Sequence, residues 1–158
     1  MGYHLAPSGG FGPLVSDVNR EYLLEQFRLM EEYLQRARGI ASRSREAFLA
    51  DPIAVDASVR QLTVLFETSH NIAKHLVSRF GWRTPSSKAE TFEILAEQGV
   101  ITSDLRDAFR EASRFRNLVV YQTAILQEEI VYQVLQENLS DFEAFTSAVA
   151  QWLSGQKS

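Results

Sequence analysis

The chain has 158 residues, of which 45% are hydrophobic and 23% are charged, a composition typical of one globular domain. Its net charge of −4 excludes a bulk polycation that binds nucleic acid by overall charge, although a local basic site remains open. The sequence has no cysteine, and its three histidines form no clear metal constellation, so we expect neither a metal nor a cofactor. No apolar stretch approaches the roughly 20 residues of a membrane span, and the N-terminus lacks a secretion-signal pattern, so we expect a cytoplasmic protein.

Glycine and proline are concentrated at the N-terminus. Of the 8 Gly and 4 Pro, six lie within residues 1–13 and only five lie in residues 14–154. So few turn-forming residues exclude a β-sandwich or barrel, which needs many turns, and favour long helices. We interpret residues 1–13 as a flexible leader, 14–154 as a single helical domain and 155–158 as a tail.

Apolar residues recur at intervals of three and four along the domain, which predicts amphipathic helices. Ser16 and Ser87 are typical N-cap residues, and Gly81 and Gly99 are typical of the position that follows a helix. In chain order, the predicted helices cover about residues 16–40, 44–50 (a short segment), 53–80, 88–98, 102 or 103 onward, and 127–153. We expect an all-α fold, an antiparallel up-and-down four-helix bundle with one or two extra short helices.

Four arginines lie within eleven residues of the predicted helix that starts at 102 or 103: Arg106, Arg110, Arg114 and Arg116. Their acidic neighbours in the sequence are only Asp107 and Glu111, so the local charge is opposite in sign to the net charge. We expect Arg110 and Arg114 to contribute to RNA binding if this surface meets RNA.

Polar side chains follow these arginines at the end of the same helix. At about 100° per residue, Asn117 shares a face with Tyr121, and Arg116 shares one with Thr123. An arginine, an amide and two hydroxyls near a helix end suit a phosphate, because arginine offers a forked cationic donor and the others offer neutral hydrogen bonds. On spacing alone, an exposed surface or an interhelical hydrogen bond is the commoner explanation of an Arg–Asn pair, and this alternative stays open.

His70 and His75 are the other candidate bases in the predicted domain. They are five residues apart, about 140° around a helix, so they do not share a face. Each is more typical of an interhelical or surface contact than of catalysis.

Five stretches, in a common order and spacing, resemble the HepT-like branch of the HEPN superfamily, which comprises small all-helical bacterial and archaeal proteins. The resemblance covers about residues 20–150. The stretches are REAFLAD (45–51), NIAKHL (71–76), EILAEQGVI (93–101), FRNLVV (115–120) and VYQVLQENL (131–139).

The resemblance implies a homodimer that shares its active site across the interface and cleaves RNA without metal. The family motif is an arginine, a polar residue, three further residues, a histidine, any residue and a tyrosine. In the family, the arginine holds the scissile phosphate and the histidine is the general acid and base for attack by the ribose 2′-OH. The resemblance also implies a partner, a minimal nucleotidyltransferase antitoxin that adds AMP to the motif tyrosine.

In this chain, Arg116 takes the arginine position of the motif and Asn117 the polar position. Tyr121 stands where the family has histidine, and Thr123 stands where it has tyrosine. A tyrosine titrates near pH 10 and is a poor base at neutral pH, and loss of one acid–base group typically lowers a rate by about 10²–10⁴. We therefore expect weakened or lost RNA cleavage, with Tyr121 and Thr123 as candidate AMP acceptors.

Three hypotheses follow from these observations. The first is a HepT-like ribonuclease toxin, active or attenuated, paired with a nucleotidyltransferase antitoxin. The second is a catalytically inactive HEPN subunit that binds a nucleotidyltransferase or RNA. The third is a helical dimer whose arginine cluster is only solvated surface. We expect RNA, but neither DNA nor a membrane, among the partners.

Overall fold

The computed structural model describes the backbone of residues 19–121 and 128–156, and the side chains of residues 19–117 and 128–156. The predicted leader, Thr123 and the side chain of Tyr121 lie outside the described residues. The described ranges contain seven helices and no strand, which confirms the all-α prediction. The helices are α1 (Arg20–Ala41), α2 (Arg45–Leu49), α3 (Pro52–Arg79), α4 (Lys88–Glu97), α5 (Ser103–Tyr121), α6 (Glu128–Glu137) and α7 (Leu139–Gly155).

Short polar residues and glycines set most helix boundaries where the sequence predicts them. The Ser87 side chain accepts the backbone N–H of Glu90 at the start of α4. Gly81 and Gly99 adopt φ of 69° and 80° after α3 and α4, a left-handed conformation that suits glycine. The predicted cap Ser16 lies outside the described residues, and α1 is capped by Asn19, whose side chain accepts the N–H of Tyr22.

The predicted helix 127–153 is also wrong, because it is two helices that meet at Asn138. This residue stands at the N-cap position of α7 with φ −118° and ψ −3°, and its side-chain amide donates to Asp141 at 3.0 Å. Asparagine favours such breaks because its short side chain bonds to polar groups nearby in the chain and competes with the helix. Consequently, α6 packs on α1, α2 and α3, whereas α7 packs on α1, α3 and α5.

A group of phenylalanines joins the helices that carry the candidate site. Phe92 of α4 stacks on Phe109 of α5 with ring centroids 4.4 Å apart, and Phe66 of α3 lies 5.9 Å from Phe92. Phe145 of α7 closes the group, 5.1 Å from Phe109. These rings are almost fully buried, and each stabilises the fold by roughly 1.5–3 kcal/mol through burial alone. The group therefore fixes α4 and α5 against α3.

Candidate phosphate-binding site

Arg116, the candidate phosphate ligand, lies on the face of α5 that meets α3. Its Nε is 2.6 Å from Oε2 of Glu67, and 22% of its side chain is exposed. Arg116 is therefore anchored at one end and still reachable from solvent. Glu67 follows Phe66, so the phenylalanine group that packs α3 on α5 also brings this carboxylate to Arg116.

A second cation binds the same carboxylate. Lys88, the first residue of α4, donates from Nζ to both oxygens of Glu67, at 2.8 and 2.9 Å. Burial would raise the pKa of Glu67, but the hydrogen bond and charge of Lys88, together with Arg116, hold it below its usual value. We call these three residues the Glu67 cluster. With one carboxylate and two cations, its side chains carry a charge of +1 at neutral pH.

His70 lies one turn after Glu67 on α3, but it is a packing residue. It is 8% exposed, its Nε2 is 3.4 Å from the Thr91 hydroxyl, and its ring packs near Phe92. Burial, then the charge of Lys88, lowers the pKa of His70 to about 4, so the ring is neutral at pH 7.

His75 joins α3 to the start of α1. Its Nε2 accepts the backbone N–H of Asn19 at 3.1 Å, and its ring centroid is 5.0 Å from that of Tyr22. Burial, then Arg79, lowers the pKa of His75 to about 4. The structure thus places each histidine in an interhelical contact.

The other arginines of α5 lie beside carboxylates outside the Glu67 cluster. Arg114 is 69% exposed and bonds Glu111 of its own helix at 2.7 Å. Arg110 contacts Asp107 at 3.2 Å and Glu93 of α4 at 3.7 Å. The structure therefore does not bring these two arginines to the carboxylate that holds Arg116.

Asn117 is exposed, one position after Arg116 on α5. Tyr121 also belongs to the motif, and its backbone is described. It is the last residue of α5, about one turn beyond Asn117. Sequence analysis did not identify Glu67 or Lys88. Glu67 stands in the sequence between Phe66 and Thr68, two buried residues of α3, but nothing in the sequence indicates the helices with which it pairs.

A cavity of about 210 Å³ borders Arg116 and is lined by residues of α3, α5, α6 and α7. Its walls are mainly apolar. They include Leu62, Phe66, Ala112, Phe115, Arg116 and Phe142. Arg116 therefore borders both an apolar recess and a carboxylate.

Within residues 19–121 and 128–156, no three His, Asp or Glu side chains form a group that could hold a metal ion. No helix in these ranges is long and apolar enough to cross a membrane.

Comparisons with known proteins identify the family. The "Ribonuclease HepT-like" family model matches residues 30–149. The chain is 28% identical to the mRNA nuclease HepT of Shewanella oneidensis over 116 residues, which cover 73% of this chain and 84% of that protein.

Solved structures have the same fold. A toxin–antitoxin complex with AMP-PNP contains a chain with a TM-score of 0.78 and 23% identity, covering 84% of this chain and 99% of that one. The tri-AMPylated Shewanella oneidensis HEPN toxin in complex with MNT antitoxin gives 0.76 and 24%, covering 82% and 96%. The Bacillus subtilis cytosolic protein YutE, of unknown function, gives 0.75 and 18%, covering 86% and 91%. The family match spans most of the domain, and this chain belongs to the ribonuclease HepT-like family.

Proposed function

We propose that this protein is the HEPN toxin component of a toxin–antitoxin pair, and that it binds the RNA backbone at Arg116 and cleaves it weakly or not at all. In this proposal the protein is a homodimer, Arg116 and Tyr121 of both subunits line one cleft, and the partner is a minimal nucleotidyltransferase antitoxin. The named relatives, an mRNA nuclease and a HEPN toxin bound to an MNT antitoxin, support this assignment.

The observation that carries the proposal is the charge around Arg116. Although the whole chain has a net charge of −4, the Glu67 cluster keeps a charge of +1 in a half-exposed position. A guanidinium that is fixed by a carboxylate loses little freedom when it binds a phosphate, and it offers that phosphate a forked donor.

The motif change limits the chemistry. Cleavage needs the 2′-OH to lose its proton as its oxygen attacks phosphorus, and the 5′-oxygen to gain a proton as its bond to phosphorus breaks. Arg116 can stabilise the charge on the phosphate oxygens. Tyr121 can donate a hydrogen bond to the phosphate, but a phenol is a poor base at neutral pH. Binding without efficient cleavage is therefore the expected behaviour, and it favours a second candidate function, an inactive subunit that binds RNA or the nucleotidyltransferase.

The nucleotidyltransferase would act on a hydroxyl of this same segment. Thr123 has a hydroxyl where the family tyrosine is modified, and Tyr121 has one two residues earlier. Mass spectrometry after incubation with the partner enzyme and ATP would locate AMP on one of them, and unmodified protein would count against this part of the proposal.

RNA binding and cleavage by the purified protein test the proposal. We expect Arg116→Ala to weaken RNA binding roughly tenfold to a hundredfold, since a charge-assisted hydrogen bond is worth about 1.5–3 kcal/mol. Arg36→Ala is the matched control, because Arg36 is exposed on α1 and pairs with Glu32. Equal RNA binding by all three proteins would refute the proposal.

A double variant separates the two candidate functions. Tyr121→His with Thr123→Tyr restores the family motif, and we expect it to gain RNA cleavage and toxicity in growing cells. A restored protein that binds RNA but stays inert would favour the inactive binding subunit.

A further inference from the structure

We propose that Lys88 is a second phosphate-binding residue and that Glu67 positions both cations, so that the site receives two neighbouring phosphates of one RNA strand. This inference rests on the proposed function, since it extends the site at Arg116. It assigns roles to Glu67 and Lys88, neither of which belongs to the family motif described above.

The geometry supports a two-phosphate site. Nε of Arg116 and Nζ of Lys88 both lie within 2.9 Å of the same atom, Oε2 of Glu67. The two nitrogens are therefore no farther apart than the sum of these two distances, so one RNA strand can reach both cations. The cations come from different helices, α5 and α4, and only the carboxylate on α3 joins them.

The atoms that Glu67 contacts leave donors for a ligand. The carboxylate meets Arg116 at Nε, the nitrogen nearest the side-chain stem, and among the described residues neither terminal nitrogen bonds another side chain, so both can form a bidentate phosphate contact. An ammonium has three donors, and the side chain of Lys88 is 38% exposed. Each cation can thus keep Glu67 and take a phosphate oxygen at the same time.

The charge of the cluster argues against Glu67 as a simple neutralising partner. A single Arg–Glu pair would be neutral and would not attract a polyanion, whereas two cations around one carboxylate remain positive. The Glu67 carboxylate, with 30% of its side chain exposed, contacts both cations and so holds them next to each other. Glu67 is a positioning residue in this scheme, and Arg116 and Lys88 are the phosphate contacts.

The salt dependence of RNA binding tests the role of Lys88. We expect the affinity of Lys88→Gln for a labelled oligouridylate to fall several-fold, with a slope of log K against log salt shallower by about 0.7, the value of one phosphate contact to a single strand. Arg36→Gln is the matched control, because it also removes one positive charge, but from the exposed surface of α1, where Arg36 pairs with Glu32. A slope change in both variants, or in neither, would overturn the assignment of Lys88.

The sign of the effect of Glu67→Gln tests positioning. If Glu67 only opposed the RNA charge, its neutralisation would tighten RNA binding, as we expect for the control Glu111→Gln beside the exposed Arg114. If Glu67 positions the two cations, Glu67→Gln weakens binding several-fold despite the lost negative charge. Tightening in both variants would overturn the positioning role.

Arg116→Ala distinguishes failure of this inference from failure of the proposed function. If Arg116→Ala binds RNA as the wild type does, the proposed function fails. If Arg116→Ala loses binding while Lys88→Gln keeps the wild-type slope, only the second phosphate contact is refuted. Far-UV circular dichroism and thermal unfolding verify that each variant is folded, and the Lys88 measurement stands if Glu67→Gln does not fold.

Discussion

Two ion clusters that involve α4 have opposite compositions. The Glu67 cluster has two cations around one carboxylate. The second, which we call the Arg83 cluster, has Arg83 between Glu90 and Glu97. Arg83 donates from Nη1 to Glu90 at 2.7 Å, and from Nη2 and Nε to Glu97 at 2.7 and 3.1 Å. The side chains of the Arg83 cluster therefore carry −1, and those of the Glu67 cluster carry +1.

This comparison indicates that phosphate binding by an arginine depends more on how many of its N–H donors are unused than on how exposed its side chain is. Arg83 is more exposed than Arg116, yet all three of its nitrogens already donate to carboxylates. A phosphate would have to displace these carboxylates at Arg83, whereas it can join Arg116 without displacing Glu67. The net charge of −4 for the whole chain does not reveal the charge of either cluster.

Acid is expected to destabilise the fold through His70, which lies next to the Glu67 cluster, and through His75. Burial lowers the pKa of His70, next to this cluster, to about 4, whereas an unfolded histidine titrates near 6.5. The stability contributed by neutral His70 is therefore complete above pH 6.5 and is lost as the pH falls towards 4. His75 should behave in the same way, because its pKa is also lowered to about 4. At about 1.4 kcal/mol per pKa unit, protonation of each histidine should lower the free energy of unfolding by up to about 3 kcal/mol at pH 4. In the Arg83 cluster, by contrast, hydrogen bonds from Ser86 and Arg83 lower the pKa of Glu90 to about 2.

Urea unfolding at pH 7, 5.5 and 4.5 measures this loss. We expect His70→Gln to flatten the decline, because an amide can still bond to Thr91 and does not titrate. His75→Gln should flatten it by a similar amount. If the free energy of unfolding of these variants falls with pH as steeply as that of the wild type, groups other than the two histidines cause the decline.

The substitution Arg116→Lys also tests whether the two clusters differ in RNA binding. A lysine cannot hold Glu67 and grip a phosphate with a planar fork, so we expect RNA binding to weaken about tenfold. Arg83→Lys is the matched substitution in the Arg83 cluster, and we expect it to leave RNA binding unchanged. Titration of a labelled RNA with each protein makes the comparison, and equal losses would mean that the two arginines do not differ as described.

Arg83→Ala should affect folding more than binding. It leaves Glu90 and Glu97 without the cation that joins them, so the melting temperature should fall slightly. Because these side chains are exposed, the decrease should shrink in high salt. RNA affinity should stay within about twofold of the wild type, because Arg83 is not one of the proposed phosphate contacts and salt screens exposed charges. A loss of RNA binding as large as that of Arg116→Ala would place the Arg83 cluster in the binding site.

The sequence predicts the helices well because their signals are local. Apolar spacing and the caps at Ser87, Gly81 and Gly99 act within one or two turns, so no tertiary information is needed. The break at Asn138 escaped prediction, because apolar spacing continues through it and only the backbone angles and the bond to Asp141 reveal it.

The site was predictable only in part. Arg116 could be proposed as a site residue from its family-like stretch, because that pattern is contiguous in the sequence. Glu67 and Lys88 could not, because they lie on other helices and reach Arg116 only through the packing of Phe66, Phe92 and Phe109. Charge pairing between helices depends on this packing and leaves no periodic signal in the sequence.

The smallest expected effect is a change in the pKa of His70 when the Glu67 cluster is altered. After burial, the charges that set this pKa are Lys88 and Lys74, which lower it, Glu67, which raises it, and Arg116, which lowers it. Lys88→Gln should therefore raise the pKa of His70, and Glu67→Gln should lower it.

An NMR titration of the histidine ring protons can measure both changes in one molecule. His75 is the internal control, because burial and the charge of Arg79 lower its pKa, whereas Lys88 does not. Arg83→Ala is the external control, because Arg83 does not contribute to the shift of His70. If His70 and His75 move together in Lys88→Gln, the substitution has changed the fold or the general field. If only His70 moves, and in opposite directions in the two variants, Lys88 and Glu67 share one local cluster in solution.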